Sequence, residues 1–367
     1  MECQMQDRRK PAVSGGNRFV GKRFGELLLT AGMILHVAVC DGVAVYAVTA
    51  AEPDAGVSRN GDCAVQTVMP NPGTMLDGAE LCAEFYYYRD TLDAAGQQAY
   101  DLIRAGILQR KEKVRMTVFV HRDDIADIYK KVIYDGPELF WAEAGGARYT
   151  CNRQGRVTAI YPHYNAMAQD IADYRAKLEE AAAEALTDMW SLSTDVEKAK
   201  YAHDWLTYHV AYDASAVDCQ TAYSALVNRR TVCGGYAHGF QYLMQQAGIP
   251  CAYVVGYALG GYHAWNVVKL DDAYYAVDVT WDDSLGAAPD EFCYRYFNLT
   301  DQEIAADHIR AEISVPIPAA QGTACSYQNA FGGNAPGTDF DAIAGVMPER
   351  MKREDDGVPV GDLAPWH

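Results

Sequence analysis

Three residue types that together make a nucleophile, a base and an orienting acid occur in order in one part of the chain. Cys233 sits in RTVCGGYAHGFQYLM, His263 heads HAWNVVKL, and Asp278 lies in AYYAVDVTW. An imidazole can take the thiol proton and later return one to a leaving amine, while a carboxylate fixes the tautomer and steadies the imidazolium. Each residue alone has a plainer reading: a structural cysteine at a helix start, a satisfied core histidine, a turn carboxylate. Together, in this order and on suitable elements, they read better as a catalytic set.

The elements that must position them are legible. After Cys233, the residues Ala237, Phe240, Met244 and Ala247 recur at spacings of three and four, and Gly248 and Pro250 follow. That pattern predicts a helix beginning at the cysteine. The dipole and free N–H groups of a helix start favour a thiolate. Gly234 and Gly235 leave room for a substrate carbonyl, and the Cys233 backbone N–H can donate to an oxyanion. CAYVVGYA, HAWNVVKL and AYYAVDVTW are three successive strand candidates. If the last two pair across a two-residue turn at Asp271-Asp272, Asp278 faces Trp265 and His263 lies one diagonal step away on the same face. Such neighbours sit about 7–8 Å apart, within reach of a hydrogen bond between long side chains. A three-residue turn would reverse the parity. A metal site from Cys233, His238 and His263 fits no usual zinc spacing, and His238 reads as a helix-surface residue. No metal and no cofactor is expected.

The bulk properties narrow the function classes. At 367 residues the chain can bury one large or two small cores. A net charge of −18 argues against nucleic acid as a partner, because phosphate binding needs clustered Lys and Arg. The 25 tyrosines suit half-buried strands and polar-lined clefts. The ten cysteines form no CxxC pair, and no disulfide can be assigned from their spacing.

Residues 1–51 combine early Arg and Lys, an apolar run from Leu27 to Val39 and small residues near Ala50, the layout of an export leader. Cleavage near Ala50, retention as an anchor and lipid attachment at Cys40 stay open, as does a buried apolar segment. Residues 52–80 read as a linker. Residues 81–189 read as a mixed helix and strand region, with helices in LDAAGQQAYDLIRAGIL and DDIADIYKKVIYDGPELFW, a strand at VRMTVFV, a hairpin around NRQG, and one long helix from about Asn165 to Trp190. Thr194 and Glu197 form a capping box that opens the next helix. Residues 190–331 hold the candidate chemistry, and 332–367 read as a loose tail.

The blocks TVCGGYAHGFQYLMQQAGIPCAYVVGY, YHAWNVVKLDDAYYAVDVTWDD and RYFNLT closely resemble the transglutaminase-like superfamily in its exported bacterial form, over roughly residues 190–310. DDIADIYKKVIYDGPELFW also resembles the amino-terminal part of such proteins. The resemblance implies an α+β, papain-like core: a helix bearing the cysteine packed on an antiparallel sheet bearing the histidine and aspartate. It implies Cys233 as nucleophile, His263 as base and Asp278 as orienting acid. It places Tyr212, in VAYD, near an oxyanion pocket, and Trp265, Asn266 and Trp281 beside the cleft. The implied activity is a thiol enzyme attacking amide or peptide carbonyls through a thioester, leaning to peptidase or amidase hydrolysis. Transamidation of protein glutamines and an inactive binding module at the cell surface are the alternatives. The expected partner is a protein or peptide, such as a cell-wall or surface peptide, met outside the cytoplasm; membrane contact is expected only through an uncleaved leader.

Overall fold

A computed structural model of the chain describes residues 85–285 and 292–332, all within one compact unit. The expected leader, linker and tail lie outside the described residues. The architecture is α+β. Its centre is a four-stranded antiparallel sheet in the order Ala273–Val277, Gly261–Leu270, Cys251–Ala258, His308–Arg310. The helix Cys233–Gln246 lies against the two central strands and is buried along nearly its whole length. Glycine at Gly248, with φ of +77°, ends it in the left-handed conformation that favours this residue.

The hairpin that matters for the site has the tight turn its sequence allows. Leu270 pairs with Ala273 and Asn266 with Val277, so Asp271 and Asp272 alone make the turn. Both have positive φ, 47° and 63°, as a two-residue turn of the primed kind requires.

The preceding half interlocks with this core. The helix Ala94–Leu108 is capped by Asp93, and Ile125–Asp135 packs beside it. Asp135, fully buried at its end, accepts from the backbone N–H groups of Tyr88 and Arg89 and from the Tyr100 hydroxyl, each at 3.0 Å. The Tyr88 hydroxyl in turn donates to the Tyr253 carbonyl at 2.8 Å, and the Gln241 amide to the Tyr134 carbonyl at 3.0 Å. A smaller antiparallel sheet contains the hairpin Arg148–Cys151 and Val157–Tyr161.

Two expected elements differ. VRMTVFV is a strand only at Val114–Arg115. Its later residues keep an alternating burial, but the ladder is reduced to single bonds such as Met116 N–H to Thr158 O at 3.0 Å, so regular pairing lapses. The long helix from Asn165 to Trp190 is three pieces: 3₁₀ turns at Ala166–Gln169 and Met189–Ser191 flank the α-helix Ile171–Leu186. Asn165 caps the first turn through its side chain, and Asp170 leaves helical geometry at φ −133° and ψ 56°. The Thr194–Glu197 capping box opens the helix Asp195–His209 as its sequence predicts.

Candidate active site

Cys233 is the first residue of its helix. Val232 before it is extended and provides no side-chain cap. The first four N–H groups of a helix have no partner within it. Here Gly235 and Tyr236 turn theirs to the Val232 carbonyl, at 2.9 and 3.1 Å. Those of Cys233 and Gly234 find no partner among the described residues. An uncapped helix start with two free donors therefore surrounds the sulfur.

His263, on the Gly261–Leu270 strand, is buried, and Cys233 is among the groups that favour its charged form. Its Nε2–H donates to Asp278 Oδ2 at 2.6 Å, which leaves Nδ1 for the thiol. Asp278 follows directly on its strand, so the tight turn sets it on the His263 side of the sheet. Its other oxygen, Oδ1, accepts from the Trp281 N–H at 3.1 Å and so caps the helix Val279–Leu285. Burial pushes the imidazole down, but the charge and hydrogen bond of Asp278, with Cys233 adding to them, outweigh it and hold it at about 10. Burial also opposes ionisation of Asp278, yet the two neighbouring imidazoles hold its carboxyl far below the usual carboxylate range.

The residues expected around the three are placed differently from one another. The Trp281 ring lies 5.7 Å from that of His263 and Trp265 lies 6.2 Å from it; both are buried. Asn266, expected beside the cleft, is 1 % exposed and serves as a tether. Its amide donates to Ala237 O of the helix and to Ala252 O of the next strand, because residues 263 and 266 face opposite sides of the sheet. Tyr212 lies on a two-residue strand parallel to Arg230–Thr231, just before the cysteine. The glycines do not leave empty space. A Cβ on Gly235 would stand 1.7 Å from Thr231 Oγ1, and one on Gly234 would stand 1.9 Å from Gln220 Oε1. His238 is not on the surface. It is buried, stacks on Tyr253 at 4.0 Å and is pushed down to about 4 by burial.

Two polar residues at the site carry no local signal in the sequence. The Gln220 amide lies against Gly234, is half-buried and makes no hydrogen bond among the described residues. His308, on the edge strand His308–Arg310, sets Nε2 3.0 Å from the same Asp278 oxygen that binds His263. His263, Asp278 and His308 are the one group of donors close enough to share a cation among the described residues. Their spacings of 2.6 and 3.0 Å are those of hydrogen bonds. Ligand atoms around a tetrahedral zinc would stand about 3.3 Å apart, given Zn–N near 2.0–2.1 Å. The arrangement holds protons, and it can generate a sulfur nucleophile beside free N–H donors.

Residues 183–279 match the model of the transglutaminase-like superfamily, a span that includes Cys233, His263 and Asp278. The chain is 32 % identical over 109 residues to the human kyphoscoliosis peptidase and 31 % identical over 109 residues to that of Mus musculus. Each match covers 25 % of this chain and only 16 % of the relative. Among solved structures, a candidate cysteine protease from Cytophaga hutchinsonii aligns with TM-score 0.28 and 15 % identity, over 52 % of this chain and 71 % of that one. A TGase aligns with TM-score 0.25 and 14 % identity, over 36 % and 43 %.

Proposed function

We propose that this chain is a cysteine-dependent acyl-transfer enzyme acting on amide or peptide carbonyls, as the match of residues 183–279 to the transglutaminase-like superfamily supports. The observation that carries the reading is the series of half-buried Cys233 and buried His263 and Asp278, with its 2.6 Å bond from imidazole to carboxylate beside the uncapped start of a helix. His263 Nδ1 takes the thiol proton, and the sulfur adds to the carbonyl carbon. The oxyanion that forms faces the N–H groups of Cys233 and Gly234. The Gln220 amide is within reach of the same place, and a half-turn of it exchanges Oε1 for Nε2. His263 then protonates the leaving amine, the C–N bond breaks and a thioester remains. Water, deprotonated by His263, adds to the thioester and releases the acid and the thiol.

Hydrolysis is favoured over transfer to an amine because the curated relatives named above are peptidases; transamidation would use the same thioester. The substrate is a protein or peptide. Residues 1–51 supply an export leader in this reading, so the substrate would be met outside the cytoplasm.

Alkylation by iodoacetamide from pH 4 to 9, read at each cysteine by mass spectrometry, tests the site without a known substrate. Burial pushes the thiols of Cys219, Cys251, Cys293 and Cys325 up. Cys233 should react well below the pH at which these do, and His263→Ala should abolish that lead. Equal reactivity of Cys233 and the other thiols in the wild type would leave an inert binding module as the better reading.

A further inference from the structure

We propose that His308 is a positioning residue: a buried, permanently charged imidazole that clamps Asp278 and sets the pH range in which Cys233 and His263 work. The proposal rests on the nucleophile reading above and assigns a role outside the matched segment 183–279.

The argument is a count of donors. Asp278 Oδ2 meets His263 Nε2 at 2.6 Å and His308 Nε2 at 3.0 Å. An ionised carboxylate only accepts, so each ring must present an N–H there. The other nitrogen of His308, Nδ1, faces Asp307 Oδ1 at 2.5 Å. Asp307 is held in turn by the Tyr296 hydroxyl, which donates to Oδ2 at 2.6 Å. With a carboxylate at each nitrogen, His308 must donate from both, and that is the imidazolium. His263 differs in one respect. Its second nitrogen faces a thiol instead of a carboxylate, so that proton can leave and return. One imidazole of the pair is mobile in protonation and the other is fixed.

The surroundings support the assignment. Asp278 reaches His308 from the start of the Val279–Leu285 helix, His263 from the neighbouring hairpin, Asp307 from its own strand end and Tyr296 from the preceding loop; Arg295 acts on Asp307. Rings of Trp281 and Trp265 close over it at 4.5 and 5.1 Å. Burial pushes the His308 imidazole down, and the two carboxylates more than reverse it. A ring needed only for packing would not require a carboxylate at each nitrogen, the fully buried Asp278 and the part-buried Asp307, since a buried charge is costly unless paired.

Two effects follow. Asp278 is fixed by two rings and one backbone N–H, so it cannot turn away from His263. The charge on His308, its ring 5.5 Å from that of His263, offsets part of the Asp278 charge and keeps His263 from holding its proton too tightly.

The test uses the full chain and the alkylation profile of Cys233 from pH 4 to 11. His308→Gln keeps one donor to Asp278 and removes the charge. Loss of a nearby positive charge disfavours the thiolate and favours the imidazolium. The acid-side midpoint of Cys233 reactivity should therefore rise by about half a unit or more, as expected for a unit charge at this range. His203→Gln is the matched control: His203 is equally buried between two carboxylates, Asp204 and Asp282, each at 3.1 Å, and does not touch Asp278. It should leave the midpoint nearly unmoved. An unchanged profile in His308→Gln, or equal shifts in both variants, overturns the proposal while the nucleophile reading stands. A wild type in which Cys233 has no lead at low pH fells both. Should His308→Gln not fold, ring ¹⁵N resonances of the wild type decide: both His308 nitrogens should be protonated at pH 7, and a neutral tautomer there overturns the proposal.

Discussion

Gln220 shows how a polar side chain without a partner marks a function that local sequence does not announce. It stands 13 positions before Cys233 in the chain, yet its amide fills the space that the missing Cβ of Gly234 leaves. The proposed donation to the oxyanion predicts that Gln220→Ala lowers kcat by about 10- to 100-fold with little change in KM, the signature of an interaction made in the transition state. A peptide ester or amide substrate would show this, and an equal rise in KM with kcat unchanged would make Gln220 a plain binding residue. Asp278→Asn goes further. It offers the wrong hydrogen-bond character to His263 Nε2 and should cut turnover by about 10²- to 10⁴-fold while the protein still folds. Retention of more than a tenth of wild-type activity would remove Asp278 from the orienting role.

At the scale of elements, two short segments decide the site. The Asp271-Asp272 turn fixes the parity of the hairpin and so the face on which Asp278 emerges. Asp272 sits at φ 63° with its carboxylate 4.0 Å from Lys269 in full exposure, a pair worth little. Replacing it with glycine should raise stability to urea by a few tenths to about 1 kcal/mol, because the left-handed conformation strains other residues. A loss of stability would mean that the ion pair matters more than the strain. Gly235 is the opposite case. Alanine there would press on Thr231 Oγ1, which is already bonded to Cys219 O and Ser224 Oγ, and should cost about 1–3 kcal/mol by overpacking. A neutral Gly235→Ala in urea unfolding would show that the Cys219–Thr231 contact gives way freely.

Over the whole molecule, buried ionised pairs make stability depend on pH. His263 and His203 are raised in the folded state, to about 10 and about 9, by their carboxylate partners against burial. Such groups stabilise fully below the unfolded histidine value of about 6.5, and the contribution is lost as pH rises through the folded values. Asp278 is depressed, so its contribution is present above an unfolded value of about 4 and is lost as pH falls further. Asp135 runs the other way from Asp278. Burial lifts it to about 7 despite three hydrogen bonds to its oxygens, so its contribution is lost as pH rises from about 4 through 7. Urea midpoints should therefore fall between pH 7 and 10, and His203→Gln should flatten that slope. An unchanged slope in that variant would mean His203 is not charged in the fold.

The chain alone determined what depends on neighbours in sequence. The helix beginning at Cys233, the Thr194 capping box, the three successive strands and the two-residue turn all follow from spacing, caps and turn length, because helix and strand periodicity are local properties. Parity then places Asp278 on the His263 side. Tertiary structure decided the rest. The long helix before Trp190 broke where Asp170 and Asn165 favoured turns. VRMTVFV paired only at its start, Asn266 turned inward to tie the helix to the sheet, and His238 was buried under Tyr253. Gln220 and His308 reached the site from a loop and an edge strand whose approach no periodicity encodes. Which strand lies beside which, and which polar group is left without a partner, depends on contacts between residues far apart in the chain, and only the folded molecule contains them.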